Sequence, residues 1–253
     1  MIHETFDPTS APLITPRHFY GDHAACCDLC VILFSREIHR HLLDTFSCEK
    51  VGEIGACNGN IPIYQTAYRG VPFVFYLTMI GSCGAGTCIE EVHCITGAKR
   101  FIMFGSAGCL NREASGKIVI PTAAYRDEGF SYHYAPASDY IEIRNAAFVS
   151  GVFREAGIRF EMGKTWTTDA IYRETAAKAR RLKADGCLTV EMECAGAQAV
   201  CDYLGAEYYD YLYCGDLLDA PEYEVAGLHE ANHELGNLAP ALLLVAACGG
   251  KGR

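Results

Sequence analysis

Three short segments join an apolar run to residues that can do chemistry. In the first, Cys187-Leu188-Thr189-Val190 runs into Glu191-Met192-Glu193-Cys194, which sets two carboxylates at the start of an otherwise apolar stretch. Ionised carboxylates among apolar neighbours need hydrogen-bond partners. The vicinal diol of a sugar offers two O–H donors to one carboxylate, and Glu191 and Glu193 are candidates for accepting them. A helix dipole attracts acidic residues to its first turn equally well with no ligand at all. In the second segment, Tyr211-Leu212-Tyr213-Cys214 runs into Gly215-Asp216. Partial desolvation at a strand end favours a protonated carboxyl, which suits a general acid; an ordinary helix-cap aspartate fits the same position. In the third, Phe101-Ile102-Met103-Phe104 runs into Gly105-Ser106-Ala107-Gly108. Small residues at a strand exit let backbone amides and the Ser106 hydroxyl face an anion or a sugar oxygen. They also permit plain close packing of a helix.

These segments need a scaffold, and the hydrophobic pattern supplies one. Runs at residues 30–34, 61–68, 72–78, 100–104, 117–121, 159–165, 187–190 and 207–214 predict strands. Several are continuously apolar, as strands buried on both faces are. Helical periodicity covers 36–46, 85–96, 145–156, 174–184, 192–204 and 229–246. Alternation of this kind predicts an α/β fold, one domain over residues 1–253 with 1–26 as an N-terminal extension. Ligands of open α/β sheets bind beyond the carboxyl ends of the strands, where all three segments lie. The glycine-rich Gly81-Ser82-Cys83-Gly84-Ala85-Gly86 has the composition of a phosphate-cradling loop but fits neither the P-loop nor the dinucleotide fingerprint. Residues 125–134, polar and aromatic, read as a surface or subunit-contact loop.

Composition excludes other classes. The formal net charge of −10 repels phosphodiester backbones and anionic lipid, so neither nucleic acid nor a membrane is an expected partner. Nothing reaches the length of a membrane helix, and the first residues lack a secretory pattern, so a cytoplasmic location is expected. The 14 cysteines fall mostly inside apolar runs, as small reduced core residues do. Cys27-Asp28-Leu29-Cys30 has metal-type spacing without a second pair, and no metal is expected. His39 and His41 flank Arg40 on a charged helix face and are expected to be solvated. No Gly-x-Ser-x-Gly elbow exists for a hydrolase triad.

Read in order, residues 78–92 (Thr-Met-Ile-Gly-Ser-Cys-Gly-Ala-Gly-Thr-Cys-Ile-Glu-Glu-Val), Gly105-Ser106-Ala107-Gly108, Trp166-Thr167-Thr168-Asp169-Ala170, Val190-Glu191-Met192-Glu193 and Gly215-Asp216 resemble the nucleoside phosphorylase superfamily. That superfamily holds uridine phosphorylase, the hexameric type of purine nucleoside phosphorylase, and the methylthioadenosine and AMP nucleosidases. The resemblance implies a three-layer αβα sandwich around a mixed, partly barrelled sheet, assembled as a homodimer or as a hexamer built from three dimers. It implies that Glu193 binds the ribose hydroxyls, with Met192 packed on the sugar and Glu191 nearby. Ser106 and the backbones of Gly105 and Gly81 would face phosphate or an attacking water, and Ile171 and Tyr172 would line the base. Asp216 matches the aspartate that protonates the leaving purine, whereas residues 125–134 look more like the uridine branch.

The family's phosphate-binding arginines are replaced here by Met103, by Phe34-Ser35-Arg36-Glu37-Ile38-His39-Arg40 and by Asn58-Gly59-Asn60. Arg36, Arg40 and Arg126 remain as substitute cations. The implied activity is cleavage of a ribonucleoside's N-glycosidic bond, purine before uridine. The resemblance implies inorganic phosphate as the co-substrate and no other cofactor. Water as the nucleophile is the first alternative, and non-catalytic nucleoside binding the second.

Overall fold

The computed structural model describes residues 4–218 and 235–250. Ten strands form one mixed sheet in the order β10-β6-β8-β9-β5-β1-β4-β3-β2, with β7 on the edge of β6. The strands are β1 (Leu29–Leu33), β2 (Glu49–Ile54), β3 (Ile61–Tyr68), β4 (Val71–Leu77), β5 (Arg100–Cys109), β6 (Ile118–Asp127), β7 (Tyr140–Glu142), β8 (Phe160–Thr168), β9 (Cys187–Glu191) and β10 (Glu207–Leu217). Because β10 also pairs with β5, the strands β5, β10, β6, β8 and β9 close into a barrel. The expected α/β sandwich with a partly barrelled sheet is therefore the architecture found.

Helices cover both faces. A short α1 (Arg17–Tyr20) precedes α2 (Arg36–Thr45), α3 (Ser82–Thr96), α4 (Ala146–Glu155), α5 (Ala176–Ala184), α6 (Cys194–Leu204) and α7 (Leu238–Gly250). On one face, Cys88, Ile89 and Val92 of α3 and Ala197, Val200 and Cys201 of α6 bury against Cys30, Val74 and Phe101 of the sheet. On the other, Leu42 of α2, Phe153 of α4 and Leu244 of α7 bury against Val31, Phe75 and Tyr211. All five residues of β1 are buried, which is why that strand reads as unbroken apolar sequence. No helix among the described residues is long and apolar enough to cross a membrane. The cysteines at all these positions are free thiols.

The sequence expectations need several corrections, and most share one cause. Strands that join the barrel run on past the point where their apolar residues stop, because a backbone ladder needs no apolar side chain. β5 therefore continues through Gly105-Ser106 to Cys109, paired with β10, and Gly105-Ser106 is strand rather than strand exit. β6 likewise extends to Asp127, so residues 125–134 begin as strand and then turn through Phe130–His133. That segment is no surface loop: Arg126 is 4% exposed, and Glu128 and Ser131 are buried with it. The glycine-rich segment is the first turn of α3, with Gly81 at its N-cap at φ +89, a conformation suited to glycine. Gly86 then lets the Phe130 ring lie against α3; a Cβ there would sit 2.2 Å from its Cε1.

The segment 192–204 becomes helical only at Cys194, with Glu191 ending β9 and Glu193 at the cap. β2 and β7 lie in polar sequence with no strand signature. His39 is not solvated, since its ring packs edge-on against Tyr64 and Phe75 at 5.7 and 5.6 Å and burial pulls its pKa down. Of the expected 229–246 helix, residues 229–234 lie outside the described residues; α7 begins at Leu238.

Candidate active site

Four parallel strands, β4, β1, β5 and β10, run in the same direction side by side. Beyond or along their carboxyl ends lie Gly81, Phe34, Gly105-Ser106 and Asp216. β9 meets the far part of β5 antiparallel, with Gly108 opposite Val190, so the chain leaving β9 delivers Glu191, Met192 and Glu193 back toward Gly105.

Glu193 is 8% exposed and anchored by backbone. The Gly81 N–H donates to its Oε1 at 2.6 Å, and the Met192 N–H donates to its Oε2 at 3.2 Å. The Ser82 hydroxyl donates to the Met192 carbonyl at 3.0 Å, tying α3 to the turn. This seam depends on Gly196, where a Cβ would lie 2.6 Å from the Ser82 Cβ. Two expected site residues, Gly81 and Glu193, are thus in direct contact, with Met192 half-buried beside them.

Glu191, 6% exposed, finds its partners inside the protein rather than in a ligand. Its Oε2 accepts the N–H of Glu193 and of Cys194, each at 2.7 Å, and its Oε1 accepts the Thr167 hydroxyl at 2.6 Å. Glu191 therefore caps α6 and braces the turn. Burial outweighs these hydrogen bonds and raises its pKa to about 7. Glu193 is raised to about 8, first by burial and then by the charge of Glu191. A third carboxyl, Asp210 in the middle of β10, was not anticipated. It is 1% exposed, neither oxygen has a hydrogen-bond partner of good geometry among the described residues, and burial followed by the charge of Glu191 lifts its pKa to about 8. Its only sequence signal is a charge inside an aromatic strand.

Asp216 lies within β10, not after it, just past an irregularity between Cys214 and Asp216. The bulge places it opposite Gly108, and its Oδ2 sits 3.6 Å from where a Gly108 Cβ would be, beside Val190 Cγ1. Asp216 and the start of the Glu191–Glu193 turn therefore flank one glycine on neighbouring strands. Glu174, two residues after Tyr172, is half-buried; burial first and then the charge of Asp216 raise its pKa to about 7. Ile171 and Tyr172 are 51% and 95% exposed, outside any packed wall of this single chain.

The anion-facing side differs from its expectation. Ser106 is exposed, but Phe34 covers Gly105, with its Cδ2 3.2 Å from where a Gly105 Cβ would be. Nothing in the sequence distinguished Phe34 from a core residue. Arg36 and Arg40 are exposed on α2, whose first free N–H groups, those of Glu37 and Ile38, are taken by the Ser35 hydroxyl. Arg126 is committed elsewhere: it donates to Ser131 Oγ at 2.7 Å, the Pro136 carbonyl at 2.6 Å and Ser138 Oγ at 3.1 Å. Its guanidinium donors are thus spent on the segment 131–138 that follows β6. No group of three or more His, Cys, Asp or Glu side chains among the described residues could hold a metal ion.

The family model of the phosphorylase superfamily matches residues 29–243, from β1 into α7. The chain belongs to this superfamily. Among superfamily relatives, it is 34% identical over 110 residues to the uridine phosphorylase of Thermococcus kodakarensis, covering 42% of this chain and 39% of that one. It is 30% identical over 108 residues to the uridine phosphorylase of Haemophilus influenzae, covering 41% and 42%. It is also 29% identical over 166 residues to a DeoD-type purine nucleoside phosphorylase of Exiguobacterium sibiricum, covering 62% and 68%. The matched part thus spans about two fifths of the length of these uridine phosphorylases.

Two solved structures share the superfamily fold. Purine nucleoside phosphorylase from Toxoplasma gondii, solved with immucillin-H, aligns with a TM-score of 0.74 at 19% identity, covering 89% of this chain and 93% of that one. A futalosine hydrolase mutant of Helicobacter pylori aligns at 0.69 and 15% identity, covering 88% and 99%.

Proposed function

We propose that this protein cleaves the N-glycosidic bond of a purine ribonucleoside. The observation that carries the reading is the backbone-anchored carboxyl of Glu193 beside a strand pair that holds Asp216 across Gly108. Breaking a ribosyl C–N bond builds positive charge on the sugar and negative charge on the base. Glu193 accepts the two ribose hydroxyls, and Met192 packs on the sugar. Burial and the Glu191 charge keep the Glu193 proton in place up to about pH 8. Two incoming O–H donors replace lost water and favour the ionised form, so the sugar and the charge arrive together. Asp216, protonated, donates to the departing base; general acid assistance of this kind is worth about 10²–10⁴-fold. Its presence favours a purine. Ile171 and Tyr172 face the base, while the Gly81, Gly105 and Ser106 edge faces the nucleophile.

Phosphate is the nucleophile in the first reading, with Ser106, Arg36 and Arg40 as its contacts. A second reading, water, is favoured by the Phe34 ring lying on Gly105 and by the internal commitment of Arg126. A dianion deprived of guanidinium partners loses its strongest contacts, whereas water needs none of them. The test is release of free base from a panel of purine and pyrimidine ribonucleosides, with and without inorganic phosphate. Phosphate-dependent release selects the first reading and phosphate-independent release the second. Nucleoside binding with no base released under either condition would refute catalysis.

A further inference from the structure

Asp127, at the end of β6, has no part in the scheme above, yet both ends of the base-facing segment fasten to it. Residues 169–175 join β8 to α5, and every one of them except the half-buried Glu174 is exposed. At the entering end, the Asp169 N–H donates to the Asp127 carbonyl at 3.4 Å, and the Gly129 N–H donates to Asp169 Oδ2 at 2.9 Å. At the leaving end, Lys178 Nζ in the first turn of α5 pairs with Asp127 Oδ2 at 2.7 Å. The same oxygen accepts the indole N–H of Trp166 at 3.0 Å, and because that ring is fully buried the carboxylate is held in one direction. We infer that Asp127 is a positioning residue: through Asp169 and Lys178 it sets the strap 169–175, and with it the grip on the base. The inference rests on the reading in which Ile171 and Tyr172 face the base.

The local sequence of α5 does not account for where the helix starts. Thr175 at the N-cap makes no side-chain hydrogen bond to the helix, no acidic residue stands in the first turn, and Lys178 puts a cation there. Each of these works against a helix N-terminus, whose free N–H groups and dipole favour an acceptor and a negative charge. Asp127 supplies from β6 the negative charge that the helix lacks, and it neutralises the lysine. With side chains only 33% and 28% exposed, Lys178 and Asp127 are screened less than an open surface pair. Farther along α5, Arg181 Nη2 donates to the Tyr125 hydroxyl at 2.9 Å, and Leu182 is buried in one cluster with Trp166. Those contacts hold the body of the helix, and its first turn and the strap are left to Asp127.

The test is amide hydrogen exchange of the full-length protein without substrate. The amides to follow are those of Ala170, Arg173 and Glu174, which donate to Thr168 Oγ1 and to the Ala170 and Ile171 carbonyls. Lys178→Met keeps the aliphatic stem and removes the charge. It is expected to speed exchange at these three positions about tenfold, while Trp166 and Thr167 in β8 change by less than about twofold. Lys178→Arg should restore slow exchange. Asp127→Asn, which keeps an acceptor for the indole without the charge, repeats the measurement if the methionine variant folds poorly. In base-release assays both charge-removing variants should raise KM for the ribonucleoside about tenfold with kcat within about twofold, as a loss of uniform binding does. Exchange at 170–174 unmoved in a folded variant, or a loss that falls on kcat alone, overturns the inference. A protein that releases no base refutes only the proposed function, because exchange is read without substrate and still decides whether Asp127 sets the strap.

Discussion

Replacing Glu193 by glutamine tests the sugar clamp at nearly constant shape. Both carboxylate oxygens accept a backbone N–H in the native site, from Gly81 at 2.6 Å and Met192 at 3.2 Å. A glutamine keeps one acceptor, which the shorter Gly81 contact claims, and turns its NH₂ toward the Met192 N–H. The unmet donor costs about 1–3 kcal/mol of stability, with no relief of a buried charge below about pH 8, where Glu193 is already neutral. For catalysis, a hydrogen bond to a charged group is worth about 1.5–3 kcal/mol net, against about 0.5–1.5 for a neutral one. Two ribose hydroxyls therefore lose about 2–3 kcal/mol between them, or about 30- to 150-fold in kcat/KM. Wild-type kcat/KM should also rise with pH toward about 8 as Glu193 gives up its proton, and that rise should vanish in Glu193→Gln. The assay is free-base release from a ribonucleoside and its 2′-deoxy analogue between pH 5 and 9. Near-normal kcat/KM on the ribonucleoside, or unchanged preference for ribose over deoxyribose in the folded variant, would refute the reasoning.

Other perturbations address the remaining parts. Asp216→Asn should slow release of ordinary purines by about 10²–10⁴-fold while barely affecting nucleosides whose leaving group needs no proton; equal losses on both would remove Asp216 from the acid role. Asp210 keeps its proton in the folded state up to about pH 8, whereas the unfolded chain releases it near 3.8. Its contribution to stability therefore falls as pH rises between those values and then levels off. Asp210→Asn should raise Tm relative to wild type at pH 8 much more than at pH 5, and a Tm difference independent of pH would contradict this. Phe34→Ala uncovers Gly105 and should enlarge the phosphate-dependent share of base release, at some cost in Tm. If that share is unchanged, Phe34 does not restrict phosphate.

The order of strands and helices was legible because it is written in local pattern. An unbroken apolar run such as Phe101–Phe104 has one economical place, a strand covered on both faces. Strand ends were harder, since ladder pairing extended β5 and β6 through residues with no apolar signature. The same limit hid β2 and β7. In the site, the Glu191-Met192-Glu193 turn could be recognised as a motif, but the two glutamates could not be told apart. The structure separates them by partners: Glu191 accepts from the turn, the helix and Thr167, whereas among the described residues Glu193 accepts backbone N–H groups alone, from Gly81 and Met192.

By itself, then, the amino-acid order determined the scaffold class and the short motifs at the strand ends, because those depend on neighbours a few residues away. Folding alone decided that Gly81 meets Glu193, 112 residues distant, that Phe34 lies on Gly105, and that Asp210 is sealed from solvent within reach of the Glu191 charge. Contacts of this kind rest on how helices seat against the sheet, and a buried charge acquires its proton affinity only from what surrounds it there.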